Sequence, residues 1–198
     1  METYSYVKGG GKMYFFNPIC DEVRFAQITF NKHKKTKKLI LGSIFACIAV
    51  ILQAAGGFLP GIGFFLSPLA TAPILLCSMF SLPFGVMSYF LTIMLLFFLQ
   101  PTELIVFPFT TGLLGLGIGT AFHIFRKRLS MITTGTILLM LGMINLLFIF
   151  HFPILGPAVP HSFSFLTTGW IFVFSFLYSW LWVELALIIM KKLKTMII

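Results

Sequence analysis

The chain of 198 residues carries little charge, because only 10% of its residues are Asp, Glu, Lys or Arg, whereas 59% are hydrophobic. Soluble domains contain about 25% charged residues. Fourteen Lys and Arg and five Asp and Glu residues cannot cover the surface of a water-soluble globule of this size. The composition therefore excludes a soluble enzyme and a disordered chain, and it predicts an integral membrane protein.

Motifs that support catalysis or metal binding are also missing. The three cysteines, Cys20, Cys47 and Cys77, form no CxxC pair, so their spacing indicates buried, reduced thiols rather than a disulfide or a zinc site. The sequence has no Walker motif, no HExxH motif and no Ser–His–Asp set. We therefore expect no enzyme activity and no cofactor, and any use of ATP would have to come from partner proteins.

The positive charge is unevenly distributed. Beyond the N-terminal Lys8, Lys12 and Arg24, the basic residues lie in three clusters, at 32–38, 126–128 and 191–194, with no Lys or Arg between them. Basic clusters that flank apolar spans mark the cytoplasmic side of a membrane. We therefore place all three clusters in the cytoplasm, and we expect this chain to contact the lipid bilayer and no nucleic acid.

The apolar stretches between these clusters set the number of membrane crossings. Residues 39–125 contain one formal charge, Glu103, and residues 129–190 contain one, Glu184. A crossing needs about 20 residues. Because the clusters lie on one side of the membrane, an even number of crossings must separate each cluster from the next. Four crossings fit the first stretch, and two fit the second. The sequence predicts an all-α, six-helix transmembrane bundle with both termini cytoplasmic, in a cell membrane of the bacterial type. The expected spans are 39–58, 64–81, 84–100, 103–125, 129–150 and 163–190.

Residues 1–38 form a leader ahead of the transmembrane domain, residues 39–198, and they lack the apolar core of a cleavable signal. Asn17-Pro18 has the pattern of a helix N-terminus. Two interpretations stay open, a short helix on the inner membrane surface and an unstructured leader with accidental spacing. The residues that would share one face of this helix are Ile19, Val23, Ala26 and Phe30.

Ionisable side chains inside apolar spans are candidates for function, because removing them from water is costly. Glu184 lies about 10 Å from the end of the last predicted helix. An ion pair with His123 or with the cluster at 126–128 is its simplest role, and proton coupling is the alternative. Glu103 stands at the start of the fourth predicted helix, where a carboxylate caps free N–H groups or contacts a ligand.

Several polar and aromatic residues fall near the outer ends of the last three predicted helices, where a pocket would lie between helices. Asn145 is a candidate amide donor, and Trp170 is a candidate stacking surface. His151 and His161 flank a proline-rich loop, but an offset of ten residues is not a metal-ligand spacing, so we expect no metal. The candidate substrate-binding residues are Gln53, Glu103, Asn145, His151, His161 and Trp170.

Small residues in the predicted spans allow helices to approach closely. Gly42 and Ala46 lie four positions apart in the first predicted helix. The fourth contains a run of glycines at positions 112, 115, 117 and 119.

The order of these features matches a known layout. Lys37-Lys38-Leu39-Ile40 leads into the small-residue helix, and a Gly- and Pro-rich loop precedes Pro68-Leu69-Ala70-Thr71-Ala72-Pro73. Glu103 to Gly119 then contains an acid, a Pro-Phe-Thr-Thr-Gly turn and a glycine-rich helix. Over residues 37–190 the chain resembles the substrate-binding S components of energy-coupling factor importers, and also the YybS-like membrane proteins.

The resemblance to S components implies a six-helix bundle that binds a vitamin or similar small molecule near the outer leaflet. Such a protein docks on a transmembrane coupling subunit driven by two ATPases, and Gly42 and Ala46 match the small residues of the docking surface. The chain starts Met1-Glu2-Thr3, without the early histidine of nickel and cobalt members, which argues against metal uptake. The resemblance to YybS-like proteins implies an alternative, a membrane scaffold or assembly protein that transports nothing.

Overall fold

A computed structural model describes residues 27, 28, 30, 34–59, 61–150 and 165–197, except for the side chains at 64, 165 and 193–197. All regular elements in these ranges are helical. In chain order they are α1 (Lys35–Phe58), α2 (Gly63–Leu66), a 3₁₀ helix (Ser67–Ala70), α3 (Thr71–Phe80), α4 (Leu82–Leu99), α5 (Pro101–Phe109), α6 (Thr111–Ile124), α7 (Arg128–Phe148) and α8 (Phe165–Ile197).

Five helical stretches of the described chain are long and apolar enough to cross a membrane. Large apolar side chains cover their outer surfaces, as Phe98 (79% exposed) and Leu166 (74% exposed) illustrate. A surface of this kind is unfavourable in water and suits contact with lipid. The described residues thus confirm the predicted all-helical architecture, and the five long apolar helices are compatible with the predicted membrane bundle. The five stretches are Lys35–Phe58, Leu82–Leu99, Pro101–Ile124, Arg128–Phe148 and Leu166–Lys192.

Two of the predicted spans are less regular than the sequence suggested. The span predicted at 64–81 is divided among α2, the 3₁₀ helix and α3. The span predicted at 103–125 is interrupted at Thr110, whose backbone angles, φ −119° and ψ −97°, leave the helical region. Pro108 lies inside α5, two residues before this interruption, and it removes the hydrogen bond that a backbone N–H at that position would donate to the preceding turn.

Glycines bring α6 against α3. A Cβ atom at Gly115 would lie 2.9 Å from the carbonyl oxygen of Thr71, and one at Gly119 would overlap the side chain of Ser78. On α4, Gly85 approaches Ser78 as closely. The prediction that the glycine-rich helix packs closely against a neighbour is therefore confirmed, and α3, α4 and α6 meet around one serine.

An ion pair ties the start of α7 to the last part of α8. Arg128 Nη1 lies 3.3 Å from Glu184 Oε1, and the two side chains are only 21% and 24% exposed. This contact confirms the simpler of the two roles predicted for Glu184, an ion pair with the cluster at 126–128. It holds the end of one predicted crossing beside the beginning of another.

The described part of the leader contacts the same end of the bundle. Phe30 is 6% exposed, and its ring centroid lies 5.0 Å from the ring centroids of both Phe80 and Phe84. Gln27 donates a hydrogen bond to the carbonyl oxygen of Met79. Phe30 therefore packs on the bundle, whereas Ile19, Val23 and Ala26, the other predicted members of its face, lie outside the described residues.

The cysteines follow the predicted pattern only in part. Cys77 on α3 is fully buried and unpaired, as expected for a thiol that acts as a small apolar side chain. Cys47 is also unpaired, but it is exposed on α1. The prediction that it is buried is wrong, because the interior of the bundle faces a different side of α1.

Candidate functional site

A buried amide stands at the centre of a polar network inside the apolar bundle. The side chain of Gln53 on α1 is 0% exposed. Its Nε2 donates hydrogen bonds to Ser67 Oγ at 2.9 Å and to Glu103 Oε2 at 2.7 Å. Its Oε1 accepts a hydrogen bond from Thr111 Oγ1 at 2.7 Å. One amide therefore connects α1, the 3₁₀ helix, α5 and α6.

The sequence places these groups together for simple reasons. Gln53 follows Ala46, Ala49 and Val50 on the buried face of α1, so helical periodicity directs its side chain inward. Glu103 lies in the first turn of α5, where the helix dipole favours a carboxylate. A buried amide without partners would be costly, and the short polar side chains at neighbouring helix ends satisfy it.

A cavity of about 180 Å³ adjoins this network. A cavity of roughly 150 Å³ lined by apolar side chains is large enough to bind benzene. The cavity in this chain can therefore hold a small organic molecule. Its polar lining residues are Gln53, Ser67, Thr110, Thr111 and Tyr178, and its apolar ones are Pro68, Val106, Leu139, Met143 and Phe174.

The interruption between α5 and α6 lies in the wall of this cavity. Thr110, the residue at the interruption, and Thr111, the first residue of α6, both line it. Within a membrane, irregular backbone occurs where it is buried in protein or lines a cavity. Interrupted helices of this kind form binding sites in several transporter folds. The position of the interruption is therefore typical of a site rather than of a random defect.

The predicted site residues separate into three groups. Gln53 and Glu103 are brought together by a direct hydrogen bond. Asn145 is half-buried on α7 and Trp170 is 68% exposed on α8, and neither lines the cavity. His151 and His161 lie outside the described residues. A ligand contact by the last four residues stays a prediction.

Four residues of the site were not predicted from the sequence: Ser67, Thr110, Thr111 and Tyr178. The two threonines carried a usable signal, because a proline followed within four residues by two threonines and a glycine indicates a helix break in an apolar stretch. Ser67, next to Pro68, carried a weaker one. Tyr178 carried none, since nothing in the sequence separates it from the other aromatic residues of α8.

The small residues proposed for partner docking face the interior of the bundle. Ala46 is 0% exposed, and a Cβ atom at Gly42 would lie 2.7 Å from Phe84 Cε2 on α4. Ser88 Oγ on α4 also lies 3.3 Å from the carbonyl oxygen of Gly42, to which it donates a hydrogen bond. In the structure these residues allow α1 and α4 to approach closely, and a docking role for them stays a prediction.

Comparison of the chain with protein-family models, with curated proteins and with solved structures found no match.

Proposed function

We propose that this chain is a six-span membrane protein whose cavity binds a small molecule, and that it serves as the substrate-binding subunit of an importer energised by partner proteins. One observation carries the proposal. An apolar bundle holds a cavity beside the hydrogen bond that buried Gln53 donates to half-buried Glu103, at the place where Thr110 interrupts a helical span. A cavity with a few convergent polar groups between membrane helices is typical of a ligand site.

Six crossings need the stretch from Gly63 to Phe80 to span the membrane in addition to the five long helices. Its helical segments follow one another without a gap, and together they have a length of about 29 Å. The hydrocarbon core of a bilayer is about 30 Å thick. The length of this stretch therefore supports a sixth crossing.

Contacts near the basic start of α1 and the end of α6 support a cytoplasmic location for both termini. The amine of Lys38, at the start of α1, lies 5.3 Å from the ring centroid of Phe30. His123, near the end of α6, donates from Nε2 to the carbonyl oxygen of Ser78 at 2.7 Å and contacts Gln27 through Nδ1. These contacts bring together the basic start of α1 and the end of α6, next to the basic cluster at 126–128, which supports a shared cytoplasmic face for these two clusters.

Cysteine labelling from outside intact cells tests this topology. In a background without cysteine, we expect Ile62→Cys to react with a membrane-impermeant maleimide, whereas Thr36→Cys, Lys127→Cys and Leu193→Cys should react only after the membrane is permeabilised. If residues 63–80 did not cross the membrane, every later loop would lie on the side opposite to the one predicted. Reaction of positions 127 and 193 from outside would then contradict the six-span arrangement.

Filling the cavity tests the binding function. We expect some members of a panel of vitamins and vitamin precursors to raise the thermal stability of the purified protein. A ligand at 100 times its Kd contributes about 2.7 kcal/mol. Val106→Phe should abolish the stabilisation, because Val106 lines the cavity. Val173→Phe is the matched control, since Val173 is 47% exposed on α8 and lies outside the cavity lining.

The alternative of a scaffold that transports nothing makes the opposite prediction. A scaffold has no need of a ligand in this cavity, so no compound would stabilise the parent protein. An equal stabilisation of the parent and the Val106→Phe variant would likewise place binding elsewhere and refute the proposed site.

A further inference from the structure

Two hydroxyl groups in the cavity wall already donate hydrogen bonds to backbone carbonyl oxygens. Thr110 Oγ1 lies 2.8 Å from the carbonyl oxygen of Val106, and Tyr178 Oη lies 3.2 Å from that of Pro68. A carbonyl oxygen only accepts hydrogen bonds, so each hydroxyl is the donor. The hydroxyls of Thr110 and Tyr178 consequently have no proton left for a ligand, toward which their oxygens can act only as acceptors.

The orientation of the buried amide fixes the direction of a third hydroxyl. Gln53 turns Nε2 toward the Glu103 carboxylate, which accepts, so Oε1 must face Thr111. The hydroxyl of Thr111 therefore donates to the amide and keeps its lone pairs. Ser67 accepts from Nε2, and it is the lining hydroxyl whose proton these contacts leave unassigned. The wall is mostly apolar, and the few polar atoms that it presents are thus mainly hydrogen-bond acceptors.

The charged and aromatic groups in and near the wall favour a cationic ligand. Its described residues include no cationic side chain, and the nearest charge in the network is Glu103, one hydrogen bond of 2.7 Å beyond Gln53. The wall also contains a stacked aromatic pair, Phe174 and Tyr178, with ring centroids 5.6 Å apart. Aromatic rings attract cations through their negative faces.

The N-terminus of α6 instead favours an anionic ligand. α6 starts at Thr111 in the cavity wall, and a helix N-terminus favours an anion with an effective charge of about half a unit. The Glu103 carboxylate carries a full unit of opposite sign and already occupies the donors of Gln53. An anionic ligand would also meet the lone pairs of Thr110, Thr111 and Tyr178, which provide it with no proton.

From these contacts we infer that the cavity selects a compact organic amine, that is, a molecule with an apolar body of about one ring and a protonated nitrogen that donates to the wall hydroxyls. The inference rests on the proposed function of the same cavity, and it names the ligand class. The volume of 180 Å³ limits the body of the ligand, because a single benzene ring already fits roughly 150 Å³.

Three probes of similar shape test the selectivity: benzylamine, which is protonated at neutral pH, benzoate, which is an anion, and toluene, which is neutral. Their binding to the purified full-length protein in nanodiscs is measured by calorimetric titration. We expect benzylamine to bind at least about tenfold more tightly than either of the others, since a hydrogen bond to a charged group contributes this much.

Two variants assign the preference to the wall. Tyr178→Phe removes one acceptor oxygen, and Glu103→Gln removes the charge while it keeps an acceptor for Gln53 Nε2. Each should weaken benzylamine binding by about tenfold and leave toluene binding unchanged. Tyr89→Phe is the matched control, because Tyr89 also donates to a proline carbonyl, that of Pro108 at 3.1 Å, but does not line the cavity.

The outcomes separate the inference from the proposed function. Tighter binding of benzylamine that is lost in Tyr178→Phe and retained in Tyr89→Phe supports both. If benzoate or toluene binds as tightly as benzylamine, and Val106→Phe blocks that binding, the cavity is a ligand site but the amine preference is refuted. If none of the three probes binds, the amine preference is again refuted, and the vitamin panel decides the proposed function independently.

Discussion

Replacing Gly142 with alanine is expected to destabilise the bundle by about 3 kcal/mol, toward the upper end of the range for overpacked sites. A Cβ atom at Gly142 on α7 would overlap the carbonyl oxygen of Phe109 at the end of α5. That oxygen belongs to the backbone, so no side-chain rotation relieves the overlap, and one of the two helices must move. Reversible unfolding in mixed micelles of increasing denaturing detergent measures the loss.

Gly169→Ala is the matched control for this substitution. A Cβ atom at Gly169 on α8 would meet nothing within 4 Å, and alanine is the better helix former by about 1 kcal/mol. We therefore expect this variant to be at least as stable as the parent. Equal stability of Gly142→Ala and Gly169→Ala would contradict the close approach of α5 and α7.

Replacing Gln53 with leucine is expected to cost about 2–4 kcal/mol, because three buried or half-buried polar partners lose their hydrogen bonds at once. The partners are Ser67, Glu103 and Thr111. Gln100→Leu is the control, since the amide of Gln100 donates to Thr102 in an exposed contact and should lose less than about 1 kcal/mol. The same detergent unfolding assay measures both.

A double variant separates the structural role of the network from its role in binding. Removing both partners of a buried hydrogen bond costs less than removing one, because no group is left unsatisfied. We therefore expect Gln53→Leu combined with Glu103→Leu to regain part of the lost stability. The tighter binding of benzylamine should not return, since the carboxylate is absent. A double variant less stable than the sum of the two single variants would argue against a direct Gln53–Glu103 interaction.

The sequence predicted those features that depend on composition and local pattern. Apolar stretches bounded by basic clusters are a property of the chain itself, so the helical membrane character and the position of most long helices followed directly. The ion pair of Glu184 was predictable because an isolated charge in an apolar helix needs a partner. The close approach at Gly115 and Gly119 was predictable because small residues crowded along an apolar helix favour such contacts.

The irregular elements were harder to predict, since competing local preferences decide them. Within 103–125 the apolar composition favours one continuous helix, but the backbone leaves the helical region at Thr110, two residues after Pro108. In the stretch 64–81, Pro68 and the adjoining small residues tighten one turn into a 3₁₀ helix. Hydropathy averages over such breaks and therefore merges the pieces into single spans.

Part of the candidate site could be predicted from the sequence. Gln53 and Glu103 were identified because a polar side chain in an apolar stretch is conspicuous in any single sequence. Thr110 and Tyr178 became part of the site through the way α5, α6 and α8 pack, which no single helix specifies. Asn145 and Trp170 were chosen for their depth along the helix axis, but the side of the helix that faces the cavity depends on the neighbouring helices.

Ser78 packs between Gly85 on α4 and Gly119 on α6, and this packing limits how the sequence can evolve. Atoms of Ser78 would overlap a Cβ atom at either glycine, so the three positions share one fixed volume. A larger residue at any one of them leaves no room for the other two to stay as they are. Natural variants of this protein should therefore exchange size among positions 78, 85 and 119 in concert, while neighbouring lipid-facing positions drift independently.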